Sequence, residues 1–484
     1  MEASAKLTSV GFAAEQVTTV GERSKGSLKR ASRLAVICYG FGDFASQLVW
    51  TFVGSYLTVF YSDVVGLAPL ALSALMLGTR VLDAVIDPVI GAIAERTITK
   101  LGRFRPFILF GCPVLAIFSV LTFTAPFEGT SPMAVIWATV TYGIAGIVYS
   151  IVNLPYGALA GAMTENSVQR DEINSSRSIG MNLGMIVVNA LTAGLTLFFS
   201  GEGAEVADKS GFFMTALVYA VLSIPMFIAV FATSKEVVSV SQTQAKTSFR
   251  DTVNALVTNK PLMILTAIII VQMTAFFGRL SVVSFYVIYC LGSYSMIALI
   301  MTIPSVMTVV SSFFVPVLTK RFGKRNSLIG SSIASAAGLV VVWLAPFDNI
   351  TMVIVGTVIY GLASFGMPLL LGMIADCVDY KDHESHVRTD GTAYGIYSLS
   401  TKLGNALGAS IGVMLLASVG YVAQAEQSFE TLQGMSTVVN LIPAAMFILA
   451  AILCLFYNLT ESRMAEIRAS LDARNTAERA TSSK

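Results

Sequence analysis

Charge is scarce in this sequence. Of 484 residues only 12% are Asp, Glu, Lys or Arg, against about 25% in an ordinary soluble domain. Histidine occurs twice and tryptophan three times. The five cysteines (Cys38, Cys112, Cys290, Cys377 and Cys454) are scattered through apolar runs, and no pair has metal-site or disulfide-framework spacing. Too few charges are present to solvate a soluble surface of this length. No nucleophile–base pair or metal constellation appears, so neither an enzyme nor a metal site is expected. His383 and His386, three apart in "DHESH", sit among acids in a polar loop and read as solvated. The net charge of +2 is not pooled on one segment, which removes nucleic acid as a partner.

What is present is apolar sequence, 55% of the chain. A membrane-spanning helix needs about 20 mostly apolar residues. Segments of that kind lie at 34–60, 69–94, 104–125, 132–162, 176–199, 211–233, 261–290, 294–319, 326–346, 350–375, 391–418 and 435–457. The lipid bilayer is therefore the expected solvent. The first 33 residues are polar, end in the basic run "ERSKGSLKRASR" and lack the apolar core of a signal peptide.

The connecting loops are charged asymmetrically. Loops 95–105, 163–175, 234–260, 320–325 and 376–390, with both tails, hold nearly all the Lys and Arg. The alternate loops hold Lys209 and a set of acids: Glu128, Glu202, Glu205, Asp208, Asp348, Glu426 and Glu430. The basic loops are expected on the cytosolic side of a plasma membrane, with both termini there.

The chain also halves. "ERTITKLGRFRP" joins the second and third segments, and "TKRFGKRN" joins the eighth and ninth. A short basic turn containing glycine thus recurs at the same place in each half. The expected organisation is a cytosolic tail (1–33), a six-helix bundle (34–233), a cytosolic linker (234–260), a second six-helix bundle (261–457) and a C-terminal tail (458–484). The fold class is all-α membrane protein, twelve transmembrane helices in two pseudo-symmetric bundles, the major-facilitator plan with a site between the halves. No filter-like loop supports a channel. The tail "ESRMAEIRASLDARNTAERA" reads as a short helix serving solubility.

Seven charges fall inside these segments: Arg80, Arg177, Arg279, Lys402, Asp43, Asp83 and Asp87. Each costs at least ~2.5 kcal/mol near the bilayer centre and is expected to face the protein interior. In "RVLDAVIDP" Asp83 and Asp87 are four apart and share a helix face, which Arg80 joins from three residues earlier. Two carboxylates against one arginine leave about one negative charge, which Na⁺ or H⁺ could neutralise. The bland alternative is that these acids only pair with Arg80 and with a cation from another helix. Pro88 also frees the Ala84 carbonyl.

Together "YGFGDF" (39–44), "FYSDVVGL" (60–67), "RVLDAVIDP" (80–88), "GRFRPFILFG" (102–111), "VNLPYGALA" (152–160), "ADCVDY" (375–380) and "STKLGNALG" (400–408) resemble the glycoside–pentoside–hexuronide:cation symporters, a family that includes melibiose and glucuronide carriers. The resemblance implies cotransport of a sugar derivative with Na⁺, Li⁺ or H⁺, with no cofactor beyond that ion. By matched position it implies Asp83 and Asp87 as cation ligands, with Asn153 replacing a family aspartate. Gln47 also replaces an aspartate, one that contacts sugar. Arg177 matches a sugar-contacting arginine, Tyr149 an aromatic near the site, and Lys402 a lysine that serves coupling. Gly157 and Met367 stand where the melibiose carrier has tryptophans, and Asp43 stands at a position that is not acidic there.

Two acids replaced by amides, with Arg177 and Lys402 kept and Arg279 added, make the cavity less negative. An arginine fork suits a carboxylate, so a hexuronide gains weight. A neutral pentoside stays open, as does the reading in which Arg279 only pairs with Asp43 or another acid. The expected substrate set is Asp43, Gln47, Tyr149, Asn153, Arg177, Arg279 and Lys402. Asp376, Asp379 and Arg388, with Asp390 and basic residues such as Arg103 and Arg105, form a candidate cytosolic gate.

The missing acid at Asn153 and the nearby ammonium of Lys402 favour H⁺ over Na⁺, which needs several oxygen ligands. The expected protein is a monomeric secondary transporter whose partners are a sugar or sugar acid, a coupling cation and the lipid bilayer. The alternatives are a sodium-dependent lysolipid-type carrier and a non-transporting sugar sensor on the same fold.

Overall fold

The computed structural model describes residues 31–164, 166–237, 258–385 and 390–482, and among them the regular structure is helical. Most of the N-terminal tail, most of the linker, His386 and Arg388 fall outside the described residues. The first six long helices are α1 (Arg33–Val59), α2 (Pro69–Arg96), α3 (Arg105–Thr122), α4 (Pro132–Ala162), α5 (Ser167–Ser200) and α6 (Lys209–Thr233). Then follow α7 (Lys260–Phe285), α8 (Met296–Ser312), α9 (Val315–Leu344), α10 (Ile350–Ala363), α11 (Gly366–Ser385) and α12 (Asp390–Ser418). The chain ends in α13 (Phe429–Ser436), α14 (Ile442–Leu455) and the tail helix α15 (Glu461–Ser482).

Among the described residues eleven helical runs are long and apolar enough to cross a membrane, α10 with α11 forming one and α13 to α14 another. The eighth expected span is shorter than the sequence suggested: α8 has 17 residues. Its partner correction lies just after. The second basic turn is not an open loop, because "TKRFGKRN" continues helically inside α9 and bends only at Gly323, where φ is +77°. A left-handed residue breaks a helix sharply, and glycine reaches that conformation without a Cβ clash. Gly102, at φ +109°, does the same in the first turn.

Helix starts follow from the sequence. The side chains of Ser32, Asp208, Asn259 and Asn349 accept the free N–H groups of Ala35, Gly211, Leu262 and Met352. Small residues set the closest packing. A methyl on Gly180 of α5 would fall inside the Gly40 backbone of α1, and one on Gly408 of α12 inside the Thr274 and Gly278 backbone of α7. In membranes such backbone approach replaces the missing hydrophobic drive between helices. The same pair of helices within each half is joined in the same way, as an internal repeat requires.

The repeat extends to the basic turns. Arg105 donates through Nε (3.2 Å) and a terminal nitrogen (2.7 Å) to the Phe231 carbonyl at the end of α6. Arg325 donates to the carbonyls of Cys454 (3.0 Å) and Leu455 (2.7 Å) at the end of α14. Each arginine caps the last membrane helix of its own half, where the carbonyls lack helical partners. Glu236 completes the first turn by accepting the backbone N–H groups of Arg103 (2.9 and 2.8 Å) and Phe104 (2.8 Å).

The tail is helical as expected but does more than keep the protein soluble. Arg468 of α15 reaches Asp376 at 2.8 Å and Arg474 reaches Asp382 at 2.7 Å, both acids lying on α11.

Candidate functional site

Four of the embedded charges, Arg80, Asp83, Asp87 and Lys402, converge where α1, α2, α4 and α12 meet. A cavity of about 170 Å³ is lined by Trp50, Arg80, Asp83, Asp87, Tyr149, Asn153, Lys402 and Asn405, with Ser150 and Leu154. Helical spacing places them. On α2 Arg80, Asp83 and Asp87 recur at three and four residues, and on α4 Tyr149, Asn153 and Tyr156 recur at four and three.

Asp83 accepts from Arg80 at 3.4 Å, within its own helix. Asp87 is in contact through Oδ2 with Lys402 Nζ, across the seam between α2 and α12. The other oxygen of Asp87, Oδ1, is buried and has no hydrogen-bond partner. The spare negative charge expected on α2 is therefore offset by Lys402.

Next to this cluster lies a second one. Arg177 of α5 donates through Nε to Asp43 of α1 at 2.7 Å, and its guanidinium lies 4.9 Å from the Tyr156 ring centre. The Tyr156 hydroxyl also donates to Asp43 at 3.2 Å. Asp43 thus occupies the fork that the sequence had assigned to a substrate carboxylate. Gln47 accepts from Thr51 at 2.6 Å on its own helix. Asn153 donates to the Tyr149 hydroxyl at 2.9 Å.

Arg279 is elsewhere. It is buried in the second half, its guanidinium 4.8 Å from the Tyr360 ring centre, and Nε and one terminal nitrogen have no hydrogen-bond partner. It does not line the cavity, and the acid Asp43 that might have paired with it is held by Arg177. Among the described residues neither a cavity position nor an acid partner is seen for Arg279. The cation–π contact with Tyr360 is its visible compensation.

The expected gate is also rearranged. Arg105 is turned onto its own half, and Asp376 is held by Lys324 (2.8 Å) and Arg468 (2.8 Å), also within one half. Arg103 donates through Nε to the Ala94 carbonyl at 3.4 Å. Asp379 sits half-buried on α11 beside Asp376. Pairing across halves is seen at the opposite end. Asp63, 7% exposed just beyond α1, accepts from Tyr289 at 2.8 Å and from Tyr421, and Tyr421 also meets Ser62 at 3.1 Å. Deeper in, Thr196 meets Tyr294 at 3.2 Å, Asn189 donates to Ser305 at 3.0 Å and Ser73 to the Ser410 carbonyl at 3.0 Å.

The sequence reading missed Trp50, Asn405 and Asp63. Trp50 lies seven residues from Asp43, and Asn405 three from Lys402, so both were reachable by helical spacing from residues already chosen. Asp63 stood in a quoted motif, but its tyrosine partners come from the other half.

The family model described as MFS/sugar transport protein matches residues 38–461. The glucuronide carrier protein homolog of Escherichia coli (strain K12) is 30% identical over 445 residues, which are 91% of this chain and 95% of that protein. The isoprimeverose transporter of Lactiplantibacillus pentosus is 31% identical over 421 residues, 87% of each. Among solved structures, one described as a study of substrate recognition in proton dependent oligopeptide transporters superposes with a TM-score of 0.64 at 14% identity, over 88% of this chain and 98% of that one. That likeness carries the fold alone.

Proposed function

This chain belongs to the MFS/sugar transport protein family, a family of transporters and not of enzymes, and from that premise we propose that it is a cation-coupled symporter of a glycoside, pentoside or hexuronide, with H⁺ the coupling ion. The observation that carries the coupling is Asp87. One oxygen touches Lys402, and the other is buried without a partner. A proton on Oδ1 would satisfy that atom and release Lys402. Na⁺ would need several further oxygens, yet Asp83 is engaged by Arg80 and an amide stands at Asn153.

The cycle follows from the two ends. If the basic turns face the cytosol, the Asp63–Tyr421 seal closes the outer side and the conformation is inward-facing. Loading Asp87 from outside removes the attraction between α2 and α12, and reloading by Lys402 after release favours proton departure inward. A polar cavity with paired charges suits a sugar better than a lipid.

The test is uptake into vesicles of purified protein under either a pH gradient or a Na⁺ gradient. Uptake driven by the pH gradient and abolished by uncoupler is expected. Stimulation by Na⁺ at clamped pH, with no response to a proton gradient, would reject the proton.

A further inference from the structure

Arg279 is the embedded cation whose charge is left over. Arg80, Arg177 and Lys402 each meet a carboxylate, at Asp83, Asp43 and Asp87. For Arg279 the visible compensation is the Tyr360 ring, whose centre lies 4.8 Å from the guanidinium. A cation–π contact offsets only part of the cost of desolvating a full charge, and it leaves the N–H groups unused. Arg279 is 5% exposed, and Nε and one terminal nitrogen have no hydrogen-bond partner among the described residues.

Two more orphaned polar side chains belong to the same region. Ala275 of α7 packs in one cluster with Ala444 of α14 and Tyr360 of α10. Farther along, the Cys290 thiol donates to the Leu432 carbonyl at 3.5 Å. The two segments therefore run antiparallel. Between those contacts Arg279 falls opposite Asn440, in the π-helical turn Thr437–Leu441 that precedes α14. Asn440 is fully buried, and neither its amide nitrogen nor its carbonyl oxygen has a partner among the described residues. Tyr286 follows Arg279 by seven residues, which returns it to the same helix face. It too is fully buried with an unpartnered hydroxyl, and it interacts electrostatically with the guanidinium. Buried polar groups are normally satisfied, so three orphans in one region call for a common partner.

The chemistry of that partner follows from theirs. The guanidinium, the amide nitrogen and the hydroxyl all donate, and their summed charge is +1. The complement is an acceptor carrying one negative charge. No acid is seen beside Arg279 among the described residues, and the cavity between α1, α2, α4 and α12 does not reach it. Full burial beside Ala275 and Ala444 favours a small ion with little hydration to shed. A divalent oxyanion would reverse the charge imbalance rather than cancel it. We propose that Arg279, Asn440 and Tyr286 hold a small monovalent anion of the chloride class inside the second half. The anion is structural and is not cargo. It sits behind the transport seam, since Gly278, next to Arg279, packs on Gly408 of α12, the helix that carries Lys402. Binding ties α7 to the start of α14 and stabilises the folded state by mass action.

The experiment uses the full chain, purified in detergent and exchanged into chloride-free choline gluconate. Choline chloride, bromide or sulfate is titrated in at constant ionic strength, and the melting temperature is read. A saturable rise with chloride and bromide, absent with sulfate, is expected. Asn440→Ala and Tyr286→Phe should each raise the half-saturating chloride concentration at least about tenfold, because a hydrogen bond to the ion is lost. Arg279→Gln should abolish the response, and if that variant does not fold the other two decide. Melting temperatures independent of the anion would overturn the site. A chloride response that Asn440→Ala and Tyr286→Phe leave unchanged would put the ion elsewhere and overturn it equally. A response to sulfate as strong as that to chloride would overturn the monovalent class.

Discussion

Lys402 and Asp87 touch across the seam between α12 and α2, both lining the cavity. The side chain of Asp87 is 10% exposed and that of Lys402 39%. An internal ammonium therefore stands at the carboxylate proposed to take the transported cation. The two cations compete for one oxygen pair, and the helices that carry them belong to different halves. Occupancy of Asp87 and the fit between the halves are thus one variable.

Asp87→Asn should separate coupling from movement. Uphill accumulation is expected to fall at least about tenfold, since the carboxyl proposed to carry the ion is gone, while counterflow of substrate persists. Asp83→Asn should also lose accumulation, with weaker exchange because Arg80 then lacks its acid. Gradient-driven uptake and counterflow in proteoliposomes measure both. Normal uphill uptake by Asp87→Asn would remove the proposed role.

Arg177 is expected to act first on stability. Arg177→Gln leaves Asp43 buried and unpaired, at a cost of about 3 kcal/mol, the lower end for such a break because Arg177 is partly exposed. The double variant Asp43→Asn with Arg177→Gln should recover most of that loss. Thermal melts in detergent show the difference. A double variant no more stable than the single would mean that the pair is not the source.

Glu236→Gln should lower stability by about 1–3 kcal/mol, because its carboxylate holds several backbone N–H groups of the first basic turn. Arg325→Gln should act in the same direction through the end of α14. Equal melting temperatures for parent and variants would show that water replaces these caps without loss.

The Asp63 seal predicts an accessibility change. In Asp63→Asn or Tyr421→Phe, a cysteine at Ser305 should react several-fold faster with a membrane-impermeant maleimide added from outside, as the sealed end opens more often. Unchanged labelling would assign closure to the deeper contacts alone.

The helical spans and the embedded charges were legible because hydrophobic length and isolated charge are local properties. Asp83 and Asp87 could be placed on one face from spacing alone. Their pairing was open to it only as an alternative, a cation from another helix, because Lys402 lies more than three hundred residues away and was brought near by resemblance alone. The same limit hid the partner of Arg177. Its donor fork was visible in the sequence, but Asp43 filling that fork depends on how α1 packs on α5. Arg279 shows the same limit, because its contact with the Tyr360 ring comes from another helix. The basic turns showed the repeat correctly, yet their arginines cap helices of their own half where charge pattern alone suggested a gate.

The docking of α15 sets an order for biosynthesis. Asp382, 7% exposed on α11, finds its cation in Arg474. The ribosome reaches that arginine only after the whole membrane domain has been made. During translation Asp382 lacks this partner until α15 has emerged, so α11 is completed only after the membrane helices are made. A nonsense mutation just after the final membrane helix would spare every residue of the cavity and still leave α11 unfinished. Quality-control proteases would then be expected to recognise a carrier whose transport site is entire.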